Sequence, residues 1–357
     1  MAFIDKVLEP PGYGWAKEDG TFIKPQARRI FSEFFSRLNI FQSRKNWLAF
    51  IHWFWVLALA PFLILFFMYF FSWGLLAVAF IYSMVLMGSH GTIWFHRYST
   101  HRAYKFGHPI WRFLTRHLVI KVLSEEVYVV SHHVHHAKSE QPGDPYNVNG
   151  GWFYCFLADV NHQRIAQNLT EKEYEKLKGF LTHTGMYLNT YEAYKKWGSL
   201  AHPRDVIRDW VFNWSFWYLT FFLIGGHALA FAIFGSAVVW AVGVRTFNYD
   251  GHGQGKDKRK PGIDFNQNDL SVNQIWPGYV AGEWHNNHHL FPRSAKNGFL
   301  PYQLDLPWLY IKLLHKLGGV TEYRDDTPVF FEKHYLPFQK QKGTPRLDEA
   351  LKPSKRP

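Results

Sequence analysis

Residues 46–96 contain no Asp, Glu, Lys or Arg, although Lys45 and Arg97 stand immediately on either side. A helix crosses a hydrocarbon core with roughly 20 residues, so this stretch is long enough to cross twice. The return is expected near Phe71, Ser72, Trp73 and Gly74. A second uncharged stretch, between Asp209 and Arg245, is divided by Gly225 and Gly226, which predicts two shorter spans. The alternative, a pair of buried helices in a water-soluble protein, is disfavoured because two uncharged runs of this length are rare in water. Charged residues make up only 19% of the chain, and these two stretches account for the deficit.

Cations set the expected orientation. Arg28, Arg29, Arg37, Arg44 and Lys45 precede the first pair of spans, and Lys and Arg recur between the pairs and after them. The two return points carry none. The positive-inside rule then places both termini and the chemistry on the cytoplasmic side. The expected fold is all-α, integral to the membrane and multi-pass: four transmembrane helices in two hairpins, capped by a cytoplasmic helical domain. Its expected divisions are a cytoplasmic N-terminal segment (1–45), hairpin 1 (46–96), a cytoplasmic segment (97–209), hairpin 2 (210–247), a second cytoplasmic segment (248–338) and a solvated Lys- and Pro-rich tail (339–357). Asp5, Glu9 and Glu18 precede any long apolar run, so no secretory signal is expected. Ile30, Phe31, Phe34, Phe35, Leu38 and Phe41 recur at helical spacing among Arg28, Arg29 and Arg37. They predict an interfacial amphipathic helix or one packed on the cytoplasmic domain, and Leu306, Leu309, Ile311, Leu313, Leu314 and Leu317 allow a second.

One cysteine, Cys155, rules out a disulfide framework or a Cys-based metal site within one chain, whereas there are 20 histidines. Eight of them fall in three motifs. His96 and His101 end the second expected span. His132, His135 and His136 form H-x-x-H-H in the middle segment, and His285, His288 and His289 repeat it after the fourth span. On a helix, i, i+3 and i+4 share one face, so each trio can point at one place; His133 lies off that face. His96 and His101 are five apart and do not keep that register, so His101 is expected where the helix has ended. Neutral imidazole ligates iron, zinc and copper. Eight imidazoles exceed the six positions of one octahedral ion, so two metals are the natural count. His52, His90 and His227 are read as hydrogen-bonding groups within the bundle, and Glu125, Glu126 and Glu283 form no E-x-x-H pair with the motifs.

The three motifs resemble the histidine boxes of the membrane fatty acid desaturases, H-x(3–4)-H followed by two copies of H-x(2–3)-H-H. The second motif continues as Ser139-Glu140-Gln141-Pro142-Gly143-Asp144-Pro145-Tyr146-Asn147, similar to the acidic Asp-Pro tail of acyl-CoA desaturases, and the third as Leu290-Phe291-Pro292. The resemblance spans roughly residues 45–318. It implies two non-haem irons, O2 as co-substrate, a fatty acid or fatty acyl thioester as substrate, and electrons from an external donor of the ferredoxin or cytochrome b5 type. In acyl-CoA desaturases an Asn-x-x-x-His adds a ninth histidine and an asparagine that reaches the metal through water; Asn248 and His252 have that spacing here. The same stretch is also similar to membrane alkane hydroxylases.

Desaturation is the leading expectation for such a site. Oxidative decarboxylation of a free fatty acid to a 1-alkene is the alternative, with fatty acyl or alkane hydroxylation next and a haem- or zinc-binding membrane transporter as the non-enzyme reading. Arg97, Arg102, Lys138 and Arg245 flank the metal region and are the candidates to hold a substrate carboxylate. Trp94, Trp214, Trp217 and Trp240 are candidates to line an acyl channel. The partners expected are the bilayer, the acyl substrate and the electron donor, and no nucleic acid. The net charge of +12 suits an acidic donor or anionic lipid.

Overall fold

The computed structural model describes residues 2–158, 163–252 and 275–337. The tail expected over 339–357 and part of the segment 248–338 therefore lie outside the described residues. The chain is mostly helical, and three of its helices are long and apolar enough to cross a membrane: α2 (Arg44–Phe70), α3 (Trp73–Thr100) and α9 (Pro203–Gly251). Before them comes α1 (Ala27–Leu38). Between α3 and α9 lie β1 (Tyr104–Phe106), α4 (Pro109–Arg116), α5 (Glu125–Lys138), α6 (Trp152–Phe156), α7 (Glu171–Lys178) and α8 (Tyr191–Trp197). After α9 come α10 (Ile275–Ala281), α11 (His285–Leu290), α12 (Leu306–Lys316) and β2 (Val320–Tyr323). Strand β1 pairs antiparallel with β2, Tyr104 opposite Tyr323, a small ribbon that an all-α reading does not contain.

Helix α2 gives way to α3 over two residues, where the Ser72 hydroxyl accepts a hydrogen bond from Leu75 N at 3.2 Å and so caps α3. Helix α9 is interrupted at Gly225 (φ −147°, ψ 22°) and Gly226 (φ 65°, ψ −164°). The second of these conformations is closed to residues with a Cβ. Residues sixteen to twenty apart in a continuous helix would be about 24–30 Å apart, yet the rings of Trp214 and Phe234 are 5.8 Å apart and those of Tyr218 and Phe234 5.6 Å. The two halves of α9 therefore lie side by side. Gly235 on the second half sits where a Cβ would come within 2.7 Å of Leu63 Cα, so the absence of a side chain lets α9 close onto α2.

Helix α5 carries two opposed faces. Val127, Val130 and Val134 are buried in a core shared with Leu169, Tyr174, Leu177 and Trp210, while His132, His135 and His136 point toward the other histidine motifs. Both oxygens of Glu126 accept backbone N–H bonds, from Leu200 (2.6 Å) and Ala201 (2.9 Å). Glu125 Oε1 accepts from Arg116 Nε (2.7 Å), Trp94 Nε1 (3.1 Å) and Lys121 Nζ (3.2 Å), and Asp209 Oδ2 accepts from Arg116 Nη2 (3.0 Å). This buried network ties α3, α4, α5 and α9 together. Trp94 is thereby a structural residue, and Trp214 and Trp217 donate to the carbonyls of Lys121 (2.8 Å) and His117 (3.0 Å). His52 and His90 donate to the carbonyls of Val122 (3.2 Å) and Thr115 (2.9 Å), and His227 pairs with the Tyr218 hydroxyl (2.8 Å).

The apolar face of α1 is turned mainly to protein: Ile30 and Phe34 are buried, with Phe34 against Trp53 of α2 at 5.2 Å and Phe31 against Phe153 at 5.1 Å. Phe35 and Phe41 remain exposed. On α12, Ile311 and Leu314 are buried while Leu309, Leu313 and Leu317 form an exposed row, and α4 adds exposed Ile110, Phe113 and Leu114.

Burial alone would raise the Glu125 carboxyl, but Arg116 and Lys121 outweigh it and hold the group well below the usual carboxylate range. A depressed folded-state value means that Glu125 stabilises the fold above its unfolded value near 4.5 and that this contribution is lost as pH falls below it. Glu125→Ala should lower stability by about 1–3 kcal/mol at neutral pH, because Arg116 and Lys121 lose one of the two carboxylates that pair with them and keep only Asp209. The thermal midpoint in nanodiscs should drop at pH 7, and the gap to wild type should close as the sample is acidified.

Candidate metal centre

The first motif solves its spacing problem by changing helix type. From Gly91 to Thr100 the chain is a π-helix, and His101 N donates to His96 O at 3.1 Å, an i→i+5 bond. Residues five apart then stack, and the two rings are 5.1 Å apart. Such widened turns are rare and are frequent at functional sites. His101 caps the helix, and Arg102 after it has φ 50°.

His96, His101, His132, His136 and His288 bring ligand nitrogens within 4.8 Å of one another, and so do His135, His252 and His289. His285 joins the second group, with Nε2 at 3.0 Å from His252 Nε2 and 3.1 Å from His289 Nε2. All nine histidines expected as ligands therefore converge, but in two groups. Each trio is split: α5 sends His132 and His136, one turn apart, to the first group and His135 to the second, and α11 sends His288 to the first and His285 and His289 to the second. His133 is in neither group.

Several of these imidazoles are oriented through Nδ1. His96 Nδ1 donates to Glu283 Oε2 (2.8 Å), His135 Nδ1 to Asp144 Oδ1 (2.9 Å) and His252 Nδ1 to Glu140 Oε1 (2.9 Å). Glu283 Oε1 lies 3.7 Å from His285 Nδ1, so one carboxylate faces a ligand of each group. Asp144 is itself held by the N–H groups of Tyr146 and Glu140, both at 2.8 Å. Among the described residues Glu140 (φ 61°) and Arg102 are the only non-glycines in the left-handed region. The cost of that backbone is of the kind found at functional sites. The sequence gives these carboxylates no signal as orienting groups: Glu283 forms no E-x-x-H pair, and Glu140 and Asp144 read only as the tail of the second motif.

A proton fixed on Nδ1 leaves a bare lone pair on Nε2, and the Nε2 atoms face one another. His96 and His288 are 2.8 Å apart, His288 and His136 2.9 Å, and His136 and His132 3.1 Å. His101 Nε2 and His135 Nε2 are buried with no hydrogen-bond partner. Burial, reinforced by neighbouring imidazoles, pushes His101, His132, His136, His288 and His289 well below the ordinary histidine value and His285 down to about 4. The rings are therefore neutral near pH 7, the form that binds a metal. Two nitrogens at about 2.0–2.1 Å from one ion and 90° apart would lie about 2.9 Å from each other. The residues present fit one first-row metal ion in each group.

A cavity of about 500 Å³ with predominantly apolar walls opens onto both groups through His96, His132 and His285. Its walls come from α3 (Met84, Gly88, Gly91), α9 (Trp240, Val244) and α10 (Trp276). Trp240 is thus the one of the four candidate tryptophans that lines it, and Asn248 stands in its wall near His285. None of the four cations expected to hold a carboxylate lines this cavity. Arg97 is fully buried, donating to Ala295 O (2.6 Å) and Gly282 O (2.8 Å) and pairing with Asp305 (2.9 Å), and so clamps the segment around the third motif. Lys138 pairs with Asp5, Arg245 lies over the Trp53 ring at 4.2 Å, and Arg102 donates to Gly179 O at 2.5 Å.

The fatty acid desaturase family model matches residues 71–331. An acyl-CoA C20 Δ5-desaturase from Anemone leveillei is 27% identical over 71% of this chain and 75% of its own. A palmitoyl-monogalactosyldiacylglycerol Δ7-desaturase from Arabidopsis thaliana is 28% identical over 71% of this chain and 63% of its own. An sn-1 stearoyl-lipid 9-desaturase from Anabaena variabilis is 25% identical over 71% and 85%.

Glu283→Gln should keep the fold but loosen His96 and His285. Loss of an outer hydrogen-bond partner of a ligand commonly costs about 10–100-fold in metal affinity. Metal per chain after mild chelation, measured by plasma mass spectrometry, should fall relative to wild type.

Proposed function

The chain belongs to the fatty acid desaturase family and is an oxidoreductase; on that premise we propose that it uses two irons and O2 to introduce a double bond into a fatty acyl chain. The observation that carries this reading is the convergence of nine imidazoles in two groups at the wall of an apolar cavity. No side chain removes hydrogen from an unactivated methylene, and the irons, when bound, would supply that one-electron chemistry and the reduction of O2. The remaining work falls to the chain itself. Glu283, Asp144 and Glu140 keep protons on Nδ1, so that Nε2 remains free to ligate. The walls of α3, α9 and α10 exclude water and hold a methylene beside His96, His132 and His285. Asn248 would hold a water against the second group.

The membrane arrangement belongs to the same proposal. Four spans, α2, α3 and the two halves of α9 (203–224 and 227–251), would place both termini and the metal centre on the cytoplasmic side, as the cations favour. The exposed rows on α4 and α12 would then lie in the membrane interface, where apolar side chains meet headgroups. Two electrons per turnover would come from a separate carrier. Decarboxylation to a 1-alkene has no support: the relatives described above are desaturases, and among the described residues no cation lines the cavity to hold a carboxylate beside the ligands.

Expression with an electron-supply system, followed by mass spectrometry of lipid extract and headspace, tests the reaction. The expected product keeps the substrate's carbon count and gains one double bond. An alcohol, or a volatile alkene one carbon shorter, would overturn the reading, and so would a purified enzyme active without two irons per chain. The cavity makes a further prediction. A Cβ at Gly91 would meet Trp240 Cζ2 at 3.3 Å, so Gly91→Val should narrow the chain path and shift products toward shorter acyl chains, read from product chain lengths on a mixed substrate pool.

A further inference from the structure

A second cavity, of about 520 Å³, lies between α4, the first turns of α9 and the loop that joins α7 to α8. It shares no lining residue with the acyl cavity. Its apolar walls are Phe113 of α4, Val206, Trp210 and Phe212 of α9, and Met186 and Tyr187 of the loop. The charges around it balance. Glu125, Asp205 and Asp209 line it together with Arg116 and Arg208, and Lys121 backs the wall, bonded to Glu125 (3.2 Å) and Asp209 (2.5 Å). Three carboxylates thus meet three cations. His117 adds no charge, because burial and Lys121 hold its imidazole down to about 4 and the ring is neutral near pH 7. A charged wall with no net sign selects neither an anion nor a cation and suits a zwitterion.

Not all of these groups are committed to one another. Arg116 and Lys121 hold Glu125 and Asp209, but the outer pair is loose: Arg208 Nη2 meets Asp205 Oδ1 at 2.9 Å, three residues apart, and both side chains reach water. Exposed pairs of this kind contribute little, so a ligand can exchange into them at small cost. Arg208 also lies over the exposed Tyr187 ring at 5.5 Å, a face that attracts cations. Deeper in, His117 is buried, with Nε2 at 3.5 Å from Asp209 Oδ1 and Nδ1 without a hydrogen-bond partner among the described residues. A neutral ring whose Nε2–H faces a carboxylate keeps a lone pair on Nδ1, which calls for an N–H or O–H donor.

The cavity is continuous with a surface that suits hydrocarbon. Phe212, Phe216, Leu219 and Leu223 are exposed at i, i+4, i+7 and i+11, along one face of α9. That row is about 16 Å long, close to half of a hydrocarbon core roughly 30 Å thick. Phe212 belongs both to the row and to the cavity wall, and exposed Ile110 and Leu114 of α4 extend the apolar surface beside it. We propose that this cavity binds the headgroup of a zwitterionic phospholipid with a primary ammonium, of the phosphatidylethanolamine class, with an acyl chain laid along the row from Phe212 to Leu223. The ammonium would sit among the acceptors of Asp205 and His117 and the face of Tyr187, and the phosphate would pair with Arg208. The bound lipid would tie α4 to α9 beside the network of Arg116, Glu125 and Asp209 that anchors the start of α5. The assignment rests on the membrane arrangement proposed above and not on the reaction.

The test uses the full-length, iron-loaded protein in mild detergent, with phosphatidylethanolamine, phosphatidylcholine and phosphatidylglycerol of matched chains as probes. Native mass spectrometry should show one ethanolamine lipid retained per chain, held about tenfold more tightly than the glycerol lipid, the effect of one hydrogen bond to a charged group. The choline lipid, whose ammonium has no N–H, should bind as weakly as the glycerol lipid. The ethanolamine lipid alone should also raise the thermal midpoint. Asp205→Asn/Arg208→Gln should abolish both the preference and the thermal shift while metal content matches wild type. Tyr187→Leu, at an exposed position, should weaken the preference about threefold and keeps the test open if the double variant folds poorly. Equal or tighter binding of the choline or glycerol lipid, or an unchanged preference in both variants, would overturn the headgroup site and leave the membrane arrangement standing. A wild-type protein that stays in solution with neither detergent nor bilayer would remove the membrane arrangement together with the site.

Discussion

Bare nitrogen lone pairs held about 3 Å apart repel one another, and the architecture brings nine imidazoles into two such groups, seven of them with Nε2 atoms that close to a neighbour's. Carboxylates on the outer side make it possible. With Nδ1–H of His96, His135 and His252 given to Glu283, Asp144 and Glu140, the inner nitrogens are left as acceptors with no protein donor to meet. Burial keeps His101, His132, His136, His285, His288 and His289 neutral, so these rings present electron pairs rather than charges. A cation in each group is the simplest way to turn repulsion into binding.

Such a centre needs a stiff support, and the scaffold provides it with ordinary means. Helix α5 is fixed by a valine face on one side and by Glu125 and Glu126 at its start, so its histidine face cannot rotate. The π-helical end of α3 brings His96 and His101 into register. Arg97 clamps the segment around the third motif through Asp305 and two carbonyls. The apolar approach to the centre then follows from what surrounds the motifs rather than from the motifs themselves.

Much of this was legible along the chain because the signals are local. An uncharged run declares a long apolar helix whatever its neighbours are, and Gly225-Gly226 marks where such a helix breaks. The i, i+3, i+4 spacing declares a shared helical face. The orienting carboxylates were not legible. Glu283 touches His96 from nearly two hundred residues away in sequence, and a glutamate two places before a histidine motif carries no signal by itself. Arg97 reads as an anchor for substrate because it is a cation beside a ligand; its engagement with Gly282, Ala295 and Asp305 is a property of packing alone.

The sequence by itself determined the apolar helices, eight candidate ligands in three motifs and the kind of chemistry they suit, with His252 added by resemblance to the desaturases, since side-chain type and spacing depend only on nearby residues. The tertiary structure decided how the nine divide into two groups, which carboxylates orient them and which face of the centre is apolar. Those choices depend on the distances between α3, α5, α9 and α11, which are set by close packing and buried ion pairs among residues remote in the chain.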